Sequence, residues 1–408
     1  MDDATIHHLL TTVPVADSRE LDRICEQAAK ALIAAGKEPS FTVESADFDT
    51  DPFLITADRF WFFRFGDHPS VRTAAACAHW LARHVVAEHR TAVAEKWALG
   101  YAFVTKDSVE SKHELAEATE DIVAGDDNSG DLAYFATLHH AGKLRSNFQF
   151  DELYQFLDSS LLAIAAGAHR EDPLLAALAA FGAFGSRNIT EERARNLYFR
   201  AWDAPGRTRH VLDVCVNALS AAAPFPDQGE LLRDHAQHAV DQHPADHIFR
   251  FRLATGLHLC GQHDRALQAI DDALRLLPAV GSRGSHKLLQ EQYLVQRNAI
   301  QEGRQRAGWT AEQQQRWQAQ AAANDEIQHS LRTSGIRAIE LVTVFTAAIA
   351  FTVGSLQITL SGTLGLADRL WLMLGLGIVL LVFALTIVGG TWFVTRHRSP
   401  HIRTRRTR

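Results

Sequence analysis

The sequence predicts an all-α protein: a large helical soluble domain followed by a C-terminal two-helix transmembrane hairpin. Two observations carry that prediction. Apolar residues recur at helical spacing on both sides of Gly261 in HIFRFRLATGLHLCGQHDRALQAIDDALRLLP, residues 247–278. Near the C-terminus stand two uncharged runs, LVTVFTAAIAFTVGSLQITL from Leu341 and LWLMLGLGIVLLVFALTIVGGTWFV from Leu370. At about 1.5 Å per residue each run is long enough to cross a hydrocarbon core of roughly 30 Å. The chain has 408 residues, 47% of them apolar, which is ample for a core of one large or two medium helical domains.

Residues 1–110 form an N-terminal, mainly helical region. MDDATIHHLL has acids where a secretory signal needs Lys or Arg, so no cleaved signal is expected. An amphipathic helix runs from Ser18 to Ala35, and long helix patterns extend to about Val104. Phe60, Trp61, Phe62, Phe63 and Phe65 read as core. Asp47, Asp49 and Asp51 superficially resemble a calcium loop, but Pro52 stands where glycine is needed and Asp58 where a bidentate glutamate is needed. Asp51 is instead expected to cap a helix beginning at Pro52. The DDNSGD run at 126–131 fails for similar reasons and reads as a solvated turn.

Residues 111–305 read as successive helix pairs: Leu132–Leu144 with Phe150–Ala166, Pro173–Phe184 with Thr190–Trp202, and Val211–His243 broken at Pro224, Phe225 and Pro226. The last pair is the clearest. There Leu253, Ala254, Leu257, Gly261, Ala266, Ile270, Ala273 and Pro278 resemble, position by position, the consensus of a tetratricopeptide repeat, and Pro244 precedes Pro278 by 34 residues, the repeat length. The small alanines let two helices approach, while Leu257 and Ile270 fill the space between them. Where the consensus carries an early aromatic, this chain has Arg250 between Phe249 and Phe251. The resemblance implies a superhelical scaffold (an α-solenoid) whose concave face binds a cytosolic protein or peptide, and it implies no chemistry.

Residues 306–335 form a polar juxtamembrane helix, with Thr310 as its expected cap and Gln313 three residues on. The two transmembrane helices occupy 336–394, at about 338–360 and 370–394, joined by a short turn containing Asp368 and Arg369. Arg332 and Arg337 flank the first, and Arg396, Arg398, Arg403, Arg405, Arg406 and Arg408 follow the second in the basic tail, 395–408. This bias places both termini on the cytoplasmic side of an inner membrane. Trp371 and Trp392 suit the membrane interfaces. Thr343, Ala347, Ala350, Gly354 and Gln357 recur every three or four residues as a small or weakly polar stripe. That stripe is expected to pack the hairpin against Gly375, Thr386 and Gly389, or else to line a pore between oligomerised hairpins.

The formal charge is −7, and setting aside the six arginines of the tail leaves residues 1–394 at −13. An acidic body argues against nucleic-acid binding, which depends on cations neutralising phosphates. Cys25, Cys77, Cys215 and Cys260 have no close pair, which fits a reducing compartment and neither a disulfide framework nor a zinc ribbon. His235, His238, His243 and His247 are the densest histidines, but Pro244 interrupts them and no HExxH arrangement exists; His139 and His140, being adjacent, diverge. No phosphate loop, GxGxxG or GxSxG is present, so no metal, cofactor or catalytic residue is expected, and an enzyme hidden in residues 1–110 stands as a third reading that no motif backs. The functional expectation is a membrane-anchored interaction scaffold. The alternative is a membrane effector, similar in layout to bacterial conflict-system proteins that join a sensing domain to a two-helix membrane segment, with homo-oligomerisation through the hairpin.

Overall fold

A computed structural model describes residues 3–12, 18–125, 129–277, 283–360 and 365–397. Among the described residues the fold is all-α, and the only paired extended backbone is the isolated bridge Val43–Val85. The chain divides into two compact units, Met1–Ala307 and Gly308–Arg408.

The first unit begins with α1 (Asp3–Thr12) and α2 (Ser18–Ala34). Asp51 caps α3 (Pro52–Asp67) as expected, its Oδ1 accepting from the amides of Phe53 at 2.8 Å and Leu54 at 3.2 Å. Phe60, Trp61 and Phe65 are buried, whereas Phe62 and Phe63 are half-buried against the core. Next come α4 (Val71–His84), opened by Ser70, and α5 (Ala87–Val104). Trp61, Trp80 and Trp97 fill the space between these helices, and Trp80 Nε1 donates to the Pro39 carbonyl at 2.7 Å. Ser111 and Glu114 close a capping box on α6 (Lys112–Ala124). Helix α7 (Ser129–Ser146) packs on α4, α5, α6, α8 (Phe150–Ser159) and α9 (Leu161–Ala165), so every side chain from Ala133 to Leu144 is buried.

The expected single helix Phe150–Ala166 is split. Ser160 leaves helical geometry and its Oγ accepts from Ala163 N at 3.1 Å, starting α9 afresh; a 3₁₀ turn, Gly167–Glu171, follows. Asp172, Thr190, Thr208 and Asp246 cap α10 (Pro173–Gly185), α11 (Glu191–Trp202), α12 (Arg209–Ala221) and α14 (His247–Leu259), each cap contributing about 1 kcal/mol. Helix α13 (Gln228–Gln242) precedes α14, and α15 (His263–Leu276) follows it.

Helix α14 lies against both α13 and α15. Gly256 sets one approach: a Cβ there would sit 2.5 Å from the Arg233 amide nitrogen, so only glycine lets α13 come this close. Gly261 sets the other, turning the chain into α15 at φ +72°, the left-handed region.

The long helix α16 (Arg283–Leu360) carries Tyr293 and Ile300 into the core of the first unit. Thr310 is therefore inside a helix and caps nothing. The residues before it already have helix-forming spacing, and neither Gly303 nor Gly308 is enough to stop them.

In the second unit, Leu341–Ile358 of α16 and Leu366–Thr386 of α17 (Leu366–His397) are long and apolar enough to cross a membrane, and none of their residues is buried. Leu341, Phe345, Ile349 and Val379 are each more than 60% exposed. Apolar surface on that scale would be unfavourable in water and is unremarkable in hydrocarbon. The expected turn is shorter than its sequence allowed, because Asp368 and Arg369 sit in the first turn of α17, where an acid favours the helix N-terminus.

Candidate functional site: a guanidinium-rich seam

Five helices of the first unit converge on one seam of charged side chains. Helix α7 ends with Arg145, whose guanidinium donates to Asp213 Oδ2 of α12 at 3.2 Å. One turn before Asp213, Arg209 donates through Nε to Asp246 Oδ2 at 2.7 Å, and Asp246 is itself the cap of α14. From α14, Arg252 donates to Ser220 Oγ at 3.1 Å and lies over the Phe251 ring, while its buried Nε has no hydrogen-bond partner. His247 Nδ1 meets Tyr293 Oη of α16 at 2.7 Å. On the α5 side, Thr208 Oγ1 donates to Glu95 Oε2 at 2.7 Å. That bond ties the cap of α12 to a residue 113 positions earlier.

Electrostatics follow from the count. Three guanidiniums share Asp213 and Asp246, and Lys96 adds to the same field, which acts on His210. Burial alone would raise the Asp213 carboxyl, but Arg145, Arg209 and Arg252 outweigh it and hold it below its ordinary value. Burial pulls His210 down to about 4, with Arg209 acting in the same direction, so its ring is neutral at pH 7. Burial likewise lowers Arg252 to about 10, against the pull of Asp213. Glu95 is the exception: it is buried, only one hydrogen bond favours its charged form, and its carboxyl is pushed up to about 7. The seam thus carries a positive surplus on an otherwise acidic body and retains unspent donor capacity. Nothing in it pairs a nucleophile with a base.

A second charged cluster lies deeper. Lys143, with no exposed surface, donates to the carbonyls of Pro69 at 3.1 Å and Ser108 at 2.8 Å and to Glu110 Oε1 at 2.7 Å. The other oxygen of Glu110 lies 2.9 Å from His140 Nδ1. Burial would lift Glu110, but the bond with His140 and the charge of Lys143 prevail and hold it down to about 2. His139 points the other way, its Nε2 3.3 Å from Thr105 Oγ1, so the two neighbours diverge as expected.

Of the repeat-like positions, Leu253, Ala254, Leu257, Ala266, Ile270 and Ala273 are all buried, Gly261 makes the turn, and Pro278 lies outside the described residues. Phe249 and Phe251, on either side of Arg250, are buried as well, with Phe251 stacked on Tyr293 at 4.6 Å. Of the four dense histidines, His235 and His238 share Trp202, while His243 and His247 lie against other rings. His235 stacks on Trp202 at 4.1 Å, His238 meets Arg207, His243 meets Phe249 and His247 meets Tyr293.

In the hairpin, Thr343, Ala347 and Gly354 are half-buried, while Ala350 and Gln357 are exposed. A Cβ on Gly354 would come 2.6 Å from Leu376, so the close contact is made there and not with Gly375 or Gly389, which have no atom near enough to meet a Cβ. The Thr343 hydroxyl donates back to the Ile339 carbonyl at 2.8 Å and is satisfied within its own helix. Arg332 is exposed, whereas the side chains of Arg337, Arg396 and Trp392 and the whole of Arg398 lie outside the described residues.

No protein family, curated protein or solved structure matches the chain. Neither charged cluster is visible from spacing, because the bonded partners lie 30 to 113 residues apart. One signal was available: His139, His140 and Lys143 interrupt LAYFATLHHAGKL, whose apolar residues surround the helix on all faces, so that whatever is polar there must be buried and partnered.

Proposed function

We propose that this protein is a membrane-anchored interaction scaffold. Its helical unit, with a tetratricopeptide-like pair at α14 and α15, recruits a cytosolic partner, and two membrane-crossing helices fix that partner at the inner membrane with both termini cytoplasmic. The seam carries the reading. Arg145, Arg209 and Arg252 hold more donors than Asp213 and Asp246 can accept, which suits an acidic peptide segment bound through its carboxylates. The apolar, unburied surface of Leu341–Ile358 and Leu366–Thr386 supports the anchor. A membrane effector remains the second reading, favoured by Ala350 and Gln357, which stay exposed for a neighbouring hairpin.

Membrane fractionation of the full chain and of a truncation ending at Ser334, with growth and membrane potential followed in the same cultures, separates the two. The scaffold predicts membrane retention of the full chain without loss of potential. Dissipation of potential by the full chain alone would replace it with the effector. Binding of a fluorescent Glu-rich peptide that weakens with salt and with Arg209→Glu is expected of the seam, and equal binding of a Lys-rich peptide would refute that assignment.

A further inference from the structure

A cavity of about 540 Å³ opens among α6, α7, α8 and α9, away from the seam. Its walls are largely apolar, with Leu115, Leu144, Phe156 and Leu162 among them. This volume suits a small molecule. Two polar groups in the wall are left incomplete. His140 is 3% exposed and lines the cavity. Its Nδ1 is committed to the Glu110 carboxylate at 2.9 Å, which leaves Nε2 as the ring's remaining hydrogen-bonding atom; among the described residues Nε2 has no partner. Gln149 lines the same cavity, and its buried Oε1 has no partner either. A buried polar group left unmatched costs stability unless something supplies a partner.

The charges around the cavity narrow the chemistry. Glu110 and Glu152 line it, with Lys112 as the single lining cation, and no arginine takes part. Lys143, behind the wall, has spent its three bonds on Glu110 and two carbonyls. An anionic ligand such as a nucleotide or fatty acid would meet carboxylates with no guanidinium to offset them. The wall combines apolar side chains with hydroxyl and amide groups and is closed at its base by a carboxylate already paired with Lys143.

We propose that this cavity is a binding site for an uncharged, mainly apolar small molecule whose hydroxyl or amide group hydrogen-bonds to His140 Nε2 and to the Gln149 amide. The apolar body lies against Leu115, Leu144, Phe156 and Leu162, and the polar end reaches the polar wall. The site is independent of the seam and of what the seam binds.

Photolabelling of the full chain in lipid nanodiscs tests it, with 4-(hydroxymethyl)benzophenone as the neutral, donor-bearing probe and 4-benzoylbenzoate as the same frame carrying a negative charge. Adducts mapped by peptide mass spectrometry are expected on residues 109–119 and 149–162, to saturate with the alcohol, and to be at least about tenfold fewer with the carboxylate. Ala116→Trp, at an exposed position of the lining, fills the cavity without entering the core and abolishes the labelling. Gln149→Leu weakens it by about fivefold, the loss of one hydrogen bond of about 1 kcal/mol. Circular dichroism confirms that both variants keep their helix content. Labelling confined to the membrane-crossing segments, failure to saturate, equal labelling by the two probes, or labelling unchanged by Ala116→Trp would each overturn the proposal.

Discussion

Two clusters of charge sit in the same helical unit and are built on opposite principles. Around Glu110, one carboxylate is shared by Lys143 and His140, every Lys143 bond is spent, and the Lys143–Glu110 pair is buried. Around Asp213, three guanidiniums surround two carboxylates, Arg209 remains more than a third exposed, and Arg252 Nε goes unpartnered. In the first arrangement the charges are matched and hold helices together; in the second, donors outnumber the carboxylate acceptors and Arg209 keeps part of its surface in solvent. The difference lies in stoichiometry and burial, since the residue types are nearly the same.

Substitutions can break that contrast. Lys143→Met is expected to have the largest effect, destabilising the first unit by about 3–5 kcal/mol, because Glu110 would be left buried without its cation. Thermal melting followed by circular dichroism measures this, and adding Glu110→Gln should restore much of the loss. Asp213→Asn should cost less, about 1–3 kcal/mol, since the asparagine oxygen can still accept from Arg145 and Arg209 keeps its pair with Asp246. Equal costs for the two variants would end the distinction between a charge-matched and a cation-rich cluster.

A pH measurement sharpens the picture at the border of the seam. The Glu95 carboxyl is raised from 4.5 to about 7 in the folded chain, so its contribution to stability is fully present below its unfolded value and is lost as pH rises through about 7. Glu95→Gln should therefore flatten the stability profile between pH 5 and 8 and stabilise the protein at pH 8 by on the order of 1–3 kcal/mol. Unchanged melting across that range would show that Glu95 ionises without penalty. Glu110 has the opposite sign: its stabilisation is present above about 4.5 and disappears as pH falls toward about 2. The smallest stability effect is expected from Arg209→Ala, about 0–1 kcal/mol, because its pair with Asp246 is partly exposed. The same change should nevertheless weaken acidic-peptide binding clearly, and a variant that alters melting more than binding would reverse the assigned roles.

Local chemistry was legible where it depended on neighbours in the chain. Asp51 before Pro52, Thr190 before its acidic first turn, the break at Pro224 to Pro226 and the turn at Gly261 all mark helix ends by capping or backbone restriction, which act within about four residues. The two uncharged runs were legible for a similar reason, since length and hydropathy are properties of a segment. Thr310 misled because a cap signature has meaning only where a helix needs to begin, and α16 was already under way. The stripe in the first span identified Gly354 but not its contact, because Leu376, rather than a small residue, fills the space opposite.

The sequence by itself therefore determined the all-α class, most helix boundaries, and two segments long and apolar enough to cross a membrane, all set by periodicity, caps and hydrophobic length. Only the tertiary structure decided that Lys143 meets Glu110, that Arg145, Arg209 and Arg252 gather on Asp213 and Asp246, that Gly256 admits the backbone of α13, and that a cavity opens beside His140. Those facts depend on which helix faces meet across tens of residues of chain, and packing selects such meetings through shape and burial that no local spacing encodes.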